Sequence, residues 1–262
     1  MKQSKEYNPV VTIITAVYNA ERYLEESMIS VLEQTYPHVE YIIIDGGSSD
    51  NSVSIIKRYS DRLAYWVSEP DQGIYDAWNK GLHKANGDWI AFIGSDDILH
   101  PFAVARYVEH IQQHPQRDTL EFISSRIELV TERLAPVRVV GQSWSWPAFR
   151  KSMITWHVGC FHSHSLFSRY GFFDTSYKVC GDYELLMRPG SELKTSFLNE
   201  STVRMRLGGV SMTKLYEAAE ETYRAKVTNK LLSPLAGMVM SRVDKVKIFG
   251  KRWLIRWGLA SV

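Results

Sequence analysis

Two adjacent carboxylates, Asp96 and Asp97, follow Gly94-Ser95 directly behind the apolar run Trp89-Ile90-Ala91-Phe92-Ile93. Neighbouring acidic side chains in a loop can serve different ligands, one holding a divalent cation and the other a sugar hydroxyl. Mg²⁺ and Mn²⁺ take oxygen donors and often bind through one or two carboxylates plus substrate phosphates. A cation held there neutralises charge on a departing diphosphate. Judged alone, the pair would more readily cap the helix expected after Pro101. A second acidic loop, Asp45-Gly46-Gly47-Ser48-Ser49-Asp50, closes an earlier apolar run and tips the reading towards chemistry.

Asp182 is the other carboxylate of interest. It follows Gly181 and precedes Leu185-Leu186-Met187, where an Asp either caps a short helix or takes a proton from an attacking hydroxyl. Glu184, two residues on, would not share its helical face. An imidazole such as His157 ordinarily titrates near neutrality, so the residue would suit proton or phosphate-oxygen contacts. His162 and His164 alternate without a third partner at metal spacing, which argues against zinc. Asp76 and Asn79 share one helical face and are expected at the same rim. Arg204 and Arg206 alternate before Leu207-Gly208-Gly209; they would neutralise diphosphate or simply line an exposed strand.

These side chains need a scaffold that gathers strand ends. Val10–Thr15, Val39–Ile44, Leu63–Val67 and Trp89–Ile93 read as short buried strands, rich in β-branched residues. Between them, helical spacing is clear over 21–34, around 51–59, and through 77–82. Strands alternating with helices predict a parallel α/β sheet. Ligands in such sheets bind beyond the carboxyl ends of the strands, so Asp45, Glu69 and Asp96/Asp97 should converge. After Pro101 a helix precedes strands within 120–140, and Trp144, Trp146, Pro147 and Phe149 form a loop able to cover a site.

In order and spacing, these segments resemble family 2 glycosyltransferases of the GT-A fold, most of all the bacterial branch that builds O-antigen and other surface polysaccharides. The residues concerned are Thr12–Asn19, Ile44–Asp50, Glu69–Gly81, Gly87–Ile90, Gly94–Asp97 and Gly181–Leu185, collinear from about Pro9 to Ser211. The resemblance implies a Rossmann-like, mostly parallel sheet and an inverting enzyme using a nucleoside-diphosphate sugar with Mn²⁺ or Mg²⁺. It places Thr15, Ala16, Tyr18, Asp45, Gly46, Asp76, Ser95 and Asp96 on the donor side. Asp97 would coordinate metal, with Asp96 on the ribose or sharing the ion. Asp182 becomes the general base, and His157, Glu184, Arg204 and Arg206 candidates for the acceptor or phosphate side. Many relatives carry a second Asp where this chain has Gly46. A polyprenyl-diphosphate-linked oligosaccharide is the acceptor the resemblance implies.

The rest of the chain narrows the setting. Apolar content of 45% and charged content of 23% over 262 residues are ordinary for a globular protein. Two cysteines, Cys160 and Cys180, make no disulfide framework and fit a reducing compartment. No signal-like or membrane-spanning stretch is evident, so the chain is expected in the cytoplasm. The sequence divides into a catalytic domain over 9–224 and a basic tail over 225–262. There Lys226, Lys230, Arg242, Lys245, Lys247, Lys251, Arg252 and Arg256 face only Asp244. Interleaved with Phe249, Trp253 and Trp257, these residues suit an anionic membrane surface, on the inner face of the plasma membrane. No nucleic-acid motif accompanies them. Two other functions fit less well. A sugar-phosphate nucleotidyltransferase would need a Gly-rich basic triphosphate loop where Ala16–Ala20 stands, and a non-catalytic binding module would bind without turnover.

Overall fold

The computed structural model describes residues 7–209 and 213–256. Four strands, β1 (Val11–Val17), β2 (Val39–Asp45), β3 (Tyr65–Ser68) and β4 (Trp89–Phe92), pair in parallel in the order β3-β2-β1-β4. They are connected through α1 (Leu24–Leu32), α2 (Ser52–Arg58) and α3 (Ile74–Leu82). The strands are largely apolar because both faces of the central sheet are covered. Val11, Ile13, Ile43 and Ala91 enter one core, while Ile14, Ile42, Ile44, Ile90 and Phe92 enter the other. Register sets Val17 beside Asp45 and Asp45 beside Ser68, so the acidic strand end lies level with the end of β1.

Local chemistry fixes how closely these layers approach. A Cβ on Gly81 would lie 2.6 Å from Ile14 Cγ2, so glycine lets α3 sit directly on the sheet. Asp50 Oδ1 accepts from Ser52 N at 2.9 Å and ties down the start of α2, whose N-cap residue is Asn51.

The remaining elements are β5 (Ile98–Leu99), α4 (Ala103–Gln113), β6 (Phe122–Val130), β7 (Pro136–Val140), α5 (Trp146–Phe149), β8 (Cys160–Ser163), α6 (His164–Tyr170), α7 (Gly181–Met187) and β9 (Thr195–Arg206). The sheet continues from β4 through β8, β6, β9 and β5, with β7 flanking β6, and mixes directions beyond β4. The β5–β9 pair sets Ile98 opposite Arg204. The strand leaving Asp97 is thereby bound to residues over a hundred positions later.

Two expectations need correction here. The Trp144–Phe149 segment forms no cover: Phe149 is fully buried and stacks with Trp144 at 4.2 Å, and its carbonyl accepts from Tyr183 OH at 2.8 Å. The proposed division at residue 225 falls inside a continuous helix, α8 (Leu215–Thr228), followed by α9 (Pro234–Arg256). These helices pack on each other through Tyr223–Asp244 and Lys245–Glu220. A Cβ on Gly237 would meet Val227 Cγ2 at 2.5 Å, which shows how close that packing is. The opposite side of α9 turns apolar residues outward at helical spacing: Leu235, Met238, Val239, Val243, Val246 and Phe249, with Leu235 and Val246 each 70% exposed. Among the described residues, no helix is long and apolar enough to cross a membrane.

Candidate active site

A cleft of about 540 Å³ opens at the carboxyl ends of β1 and β4. Ala16 and Tyr18 border one side; Ser95, Asp96 and Asp97 lie along it; His157 and Asp182 close the far side. Tyr18 is 67% exposed, leaving its ring free to meet a ligand. A second cavity of about 370 Å³, bordered by Met153, Trp156, Ala218 and Thr222, shares His157, Val158, Val179, Asp182 and Met205 with the first. Asp182 therefore stands at the junction of two spaces.

The acidic loop is drawn tight. Asp97 N donates to Gly94 O at 3.2 Å, and Ser27 Oγ donates to the same carbonyl at 2.9 Å. A Cβ on Gly94 would lie 2.6 Å from Asp97 Oδ2 and 3.0 Å from Asp96 Oδ1, so two carboxylates converge over the one residue without a side chain. Burial, then the charge of Asp96, holds the Asp97 carboxyl well above the usual carboxylate range; burial raises Asp96 as well. Two crowded, desolvated oxygen donors fit a hard divalent cation. Among the described residues, no third His, Cys, Asp or Glu joins them.

Arg206 borders the cleft, but its side chain is committed to this loop rather than free for a diphosphate. It is 3% exposed, and its guanidinium donates to the carbonyls of Asp96 and Glu132 and to Glu26 Oε2, over the ring of Tyr23. Its backbone N–H donates to Asp97 Oδ1 at 3.1 Å. Arg204, two residues earlier on β9, reaches Glu128 at 3.4 Å and does not line the cleft.

Asp182 occupies a different setting. Its Oδ1 accepts from Tyr183 N at 2.9 Å and from Tyr75 OH at 3.3 Å, and 18% of its side chain remains open. Burial pushes its carboxyl up to about 6, against the lowering effect of those bonds. His157 Nδ1 lies 3.9 Å from Asp182 Oδ2, with the ring stacked on Trp78 at 4.7 Å and Phe92 at 5.1 Å. Neither ring nitrogen has a hydrogen-bond partner, and burial depresses the His157 pKa far enough to keep it neutral.

Several expected site residues are placed elsewhere. Thr15 is buried, its hydroxyl on Tyr41 OH at 3.1 Å. The Asp45 carboxylate, fully buried, accepts from Gly47 N, Ser48 N, Ser48 Oγ and Ser68 Oγ, so it shapes its own loop. Asp76 accepts from Gln72 N at 3.0 Å, and Asn79 clasps the backbone of Phe173; neither borders the cleft. Glu69 pairs with Lys80 at 2.8 Å on the surface. Glu184 is buried against Arg188, which donates to both of its carboxylate oxygens. His162 sits in the core beside the Ile90 carbonyl, and His164 bonds Gly87 O.

Sequence reasoning assigned no role to Tyr75, Trp78, Asp71 or Glu221. Tyr75 and Trp78 lie on α3 and border the cleft, which nothing in their local sequence signalled. Asp71 fills the space above Gly46, where any Cβ would collide with its carboxylate. The position where many relatives carry a second Asp is thus covered by an acidic group from another loop.

A parallel sheet ending in a paired-carboxylate loop, with a mixed extension supplying a lone carboxylate across the cleft, is the architecture of GT-A glycosyltransferases. The structure superposes on Staphylococcus aureus TarS in complex with UDP at a TM-score of 0.65 and 19% identity, covering 83% of this chain and 65% of that one. Mannosyltransferase PcManGT from Pyrobaculum calidifontis, in complex with GDP-Man and Mn²⁺, matches at 0.62 and 19%, over 87% and 66%. The sequence profile of glycosyl transferase family 2 matches residues 12–172, and the chain belongs to that family. An uncharacterised glycosyltransferase of Rickettsia typhi is 25% identical over 96% of this chain and 83% of its own length. The putative teichuronic acid biosynthesis glycosyltransferase TuaG of Bacillus subtilis is 39% identical over 35% of this chain and 37% of its own.

Proposed function

We propose that this chain transfers a sugar, with inversion, from a nucleoside-diphosphate sugar to a hydroxyl of a polyprenyl-diphosphate-linked oligosaccharide in surface-polysaccharide assembly. The observation that carries the reading is the opposition of two carboxylate sites across one cleft: a crowded pair, Asp96 and Asp97, and a lone buried group, Asp182. Asp182 takes the acceptor hydroxyl's proton as that oxygen attacks the anomeric carbon opposite the diphosphate. A pKa of about 6 leaves it ionised at neutral pH and basic enough to accept. His157, neutral and wedged between rings, blocks water from one flank of Asp182. Asp97 with Asp96 would hold Mn²⁺ or Mg²⁺, which when bound neutralises charge on the leaving diphosphate. Ala16, Tyr18 and Ser95 border the donor; Asp45 and Gly46 act through the shape of their loop. The UDP and GDP-Man named in the solved relatives support a nucleotide donor, and the teichuronic acid named for TuaG supports a surface-polymer acceptor.

The test is a thermal-shift screen of UDP, GDP, CDP, ADP and dTDP with and without Mn²⁺, since a ligand that binds only the folded chain raises its stability. Stabilisation by one diphosphate, dependent on metal and lost in Asp97→Ala, is the expected result. No response to any of them would sink the donor assignment, and pyrophosphate release from a nucleoside triphosphate would point to a nucleotidyltransferase instead.

The outward apolar stripe of α9, with Arg242, Lys245 and Lys247 on the same helix, supports peripheral binding to an anionic membrane on the cytoplasmic side. The two tryptophans of the tail are not both within the described residues: Trp257 lies outside them.

A further inference from the structure

Helix α8 lies beyond the segment matched by the family profile, yet it reaches the turn that carries Asp182. Glu221, on α8 and only 8% exposed, directs its carboxylate at three successive backbone N–H groups. Oε1 accepts from Lys178 N at 2.7 Å, and Oε2 accepts from Val179 N and Cys180 N, both at 2.8 Å. These amides immediately precede α7, whose N-cap residue, Cys180, makes no side-chain capping bond. Charge-assisted bonds of this kind are about twice as strong as neutral ones. Around them α8 adds further contacts to the same segment, with Arg224 over the Tyr177 ring at 3.6 Å and Ala218 O accepting from Cys180 Sγ at 3.4 Å.

We propose that Glu221 is a positioning residue for Asp182, its carboxylate fixing the 178–180 turn so that α7 delivers the Asp182 carboxylate to the junction of the two cavities. This rests on the reading of Asp182 as the base. Buried carboxylates are rare unless their acceptor capacity is used, and here it is used on the turn entering the site, two residues from Asp182. The groups facing Asp182 are Tyr75 from α3, His157 from the turn before β8, Cys160 from β8, and Cys180 and Tyr183 from its own segment. The charge of Glu221 also raises the Asp182 pKa. One residue of a helix remote in sequence thus holds the turn that positions Asp182 and adds a smaller upward push to a pKa that burial raises first.

The experiment compares wild type, Glu221→Gln, Glu221→Asp and Asp182→Asn in the full chain. It follows hydrolysis of UDP-GlcNAc or GDP-Man with Mn²⁺, the UDP or GDP thermal shift, and the carboxyl-carbon NMR titration of Asp182, identified by its loss in Asp182→Asn. Glu221→Gln should cut kcat about ten- to a hundredfold, the scale of a misplaced catalytic group, while donor KM stays within about twofold. Its acid limb and the Asp182 titration should both move to lower pH. Glu221→Asp keeps the charge but withdraws it from the amides, so it should lose turnover with the acid limb close to wild type; this variant carries the test if Glu221→Gln fails to fold. Wild-type kcat and an unmoved Asp182 titration in Glu221→Gln would overturn the proposal, as would a loss of diphosphate binding as large as the loss of kcat. Full turnover in Asp182→Asn would remove the base reading itself, while the titration would still report whether Glu221 acts on Asp182.

Discussion

Asp97 and Asp182 are both buried carboxylates with raised pKa, but their surroundings differ. Asp97 has a second carboxylate beside it and a buried arginine behind it; burial raises its pKa first, and the charge of Asp96 adds to that. Asp182 has aromatic rings, a neutral histidine and a tyrosine hydroxyl, and burial is the main cause of its shift. Crowding like charges prepares a site for a metal, whereas isolating one charge prepares a proton acceptor. One cleft accommodates both because the acidic loop follows β4 while Asp182 comes from the first turn of α7.

The largest effect should come from removing the cation's donor. Asp97→Ala should lower metal-dependent turnover by on the order of a hundredfold to a thousandfold, the loss expected when charge stabilisation worth several kcal/mol disappears. Chelator-treated wild type turning over at full rate would break the metal half of the comparison.

Asp182→Asn should cut turnover on the order of a hundredfold or more while preserving diphosphate-induced stabilisation. A matching loss of donor affinity would make Asp182 a nucleotide ligand. The same group governs pH behaviour: wild-type kcat should fall as pH drops below about 6, because Asp182 is then protonated. For stability the sign is opposite. A carboxyl whose folded pKa exceeds its unfolded value favours the fold at low pH, and that contribution is lost as pH rises through about 6. Asp182→Asn should therefore raise Tm at pH 8 by about 2–6 °C relative to wild type and by little at pH 4. Equal Tm differences at both pH values would contradict the raised pKa.

Arg206→Met keeps length and removes the guanidinium that braces the acidic loop. The expected outcome is weaker Mn²⁺ affinity by about ten- to a hundredfold, as for other residues that hold metal ligands in place, measured by calorimetric titration with UDP present. Unchanged affinity would show that the loop holds itself. The smallest effect on chemistry should follow Val246→Glu on α9. Anionic vesicle binding should fall several-fold, since a charge enters the apolar stripe, while donor hydrolysis stays at wild-type rate. Undiminished vesicle binding would show that this stripe is not the membrane contact.

The N-terminal half was legible because its signals are local. Each of the four apolar runs became a parallel strand, and the acidic motif Ser95-Asp96-Asp97 emerged at the end of β4, in the cleft. The residues misplaced in advance share one trait: their types and spacing were compatible with a site, but a nearby partner claimed them. Asp45 is saturated by Gly47, Ser48 and Ser68, Glu184 by Arg188, and Arg204 by Glu128. Alternation along β9 puts Arg204 and Arg206 on one face, but did not show that Arg206 is buried against the acidic loop while Arg204 stays exposed.

By itself, the sequence determined the strand–helix alternation, the family, the acidic loop and the basic, apolar-interleaved composition of the tail. Those properties follow from periodicity and from contiguous residues, which act within a few positions along the chain. Only the tertiary structure decided that Arg206 backs Asp97, that Asp71 covers Gly46, and that Glu221 holds the turn before Asp182. Each joins groups tens to more than a hundred residues apart, and the energy of such a pair depends on burial and angle, which have no local signature.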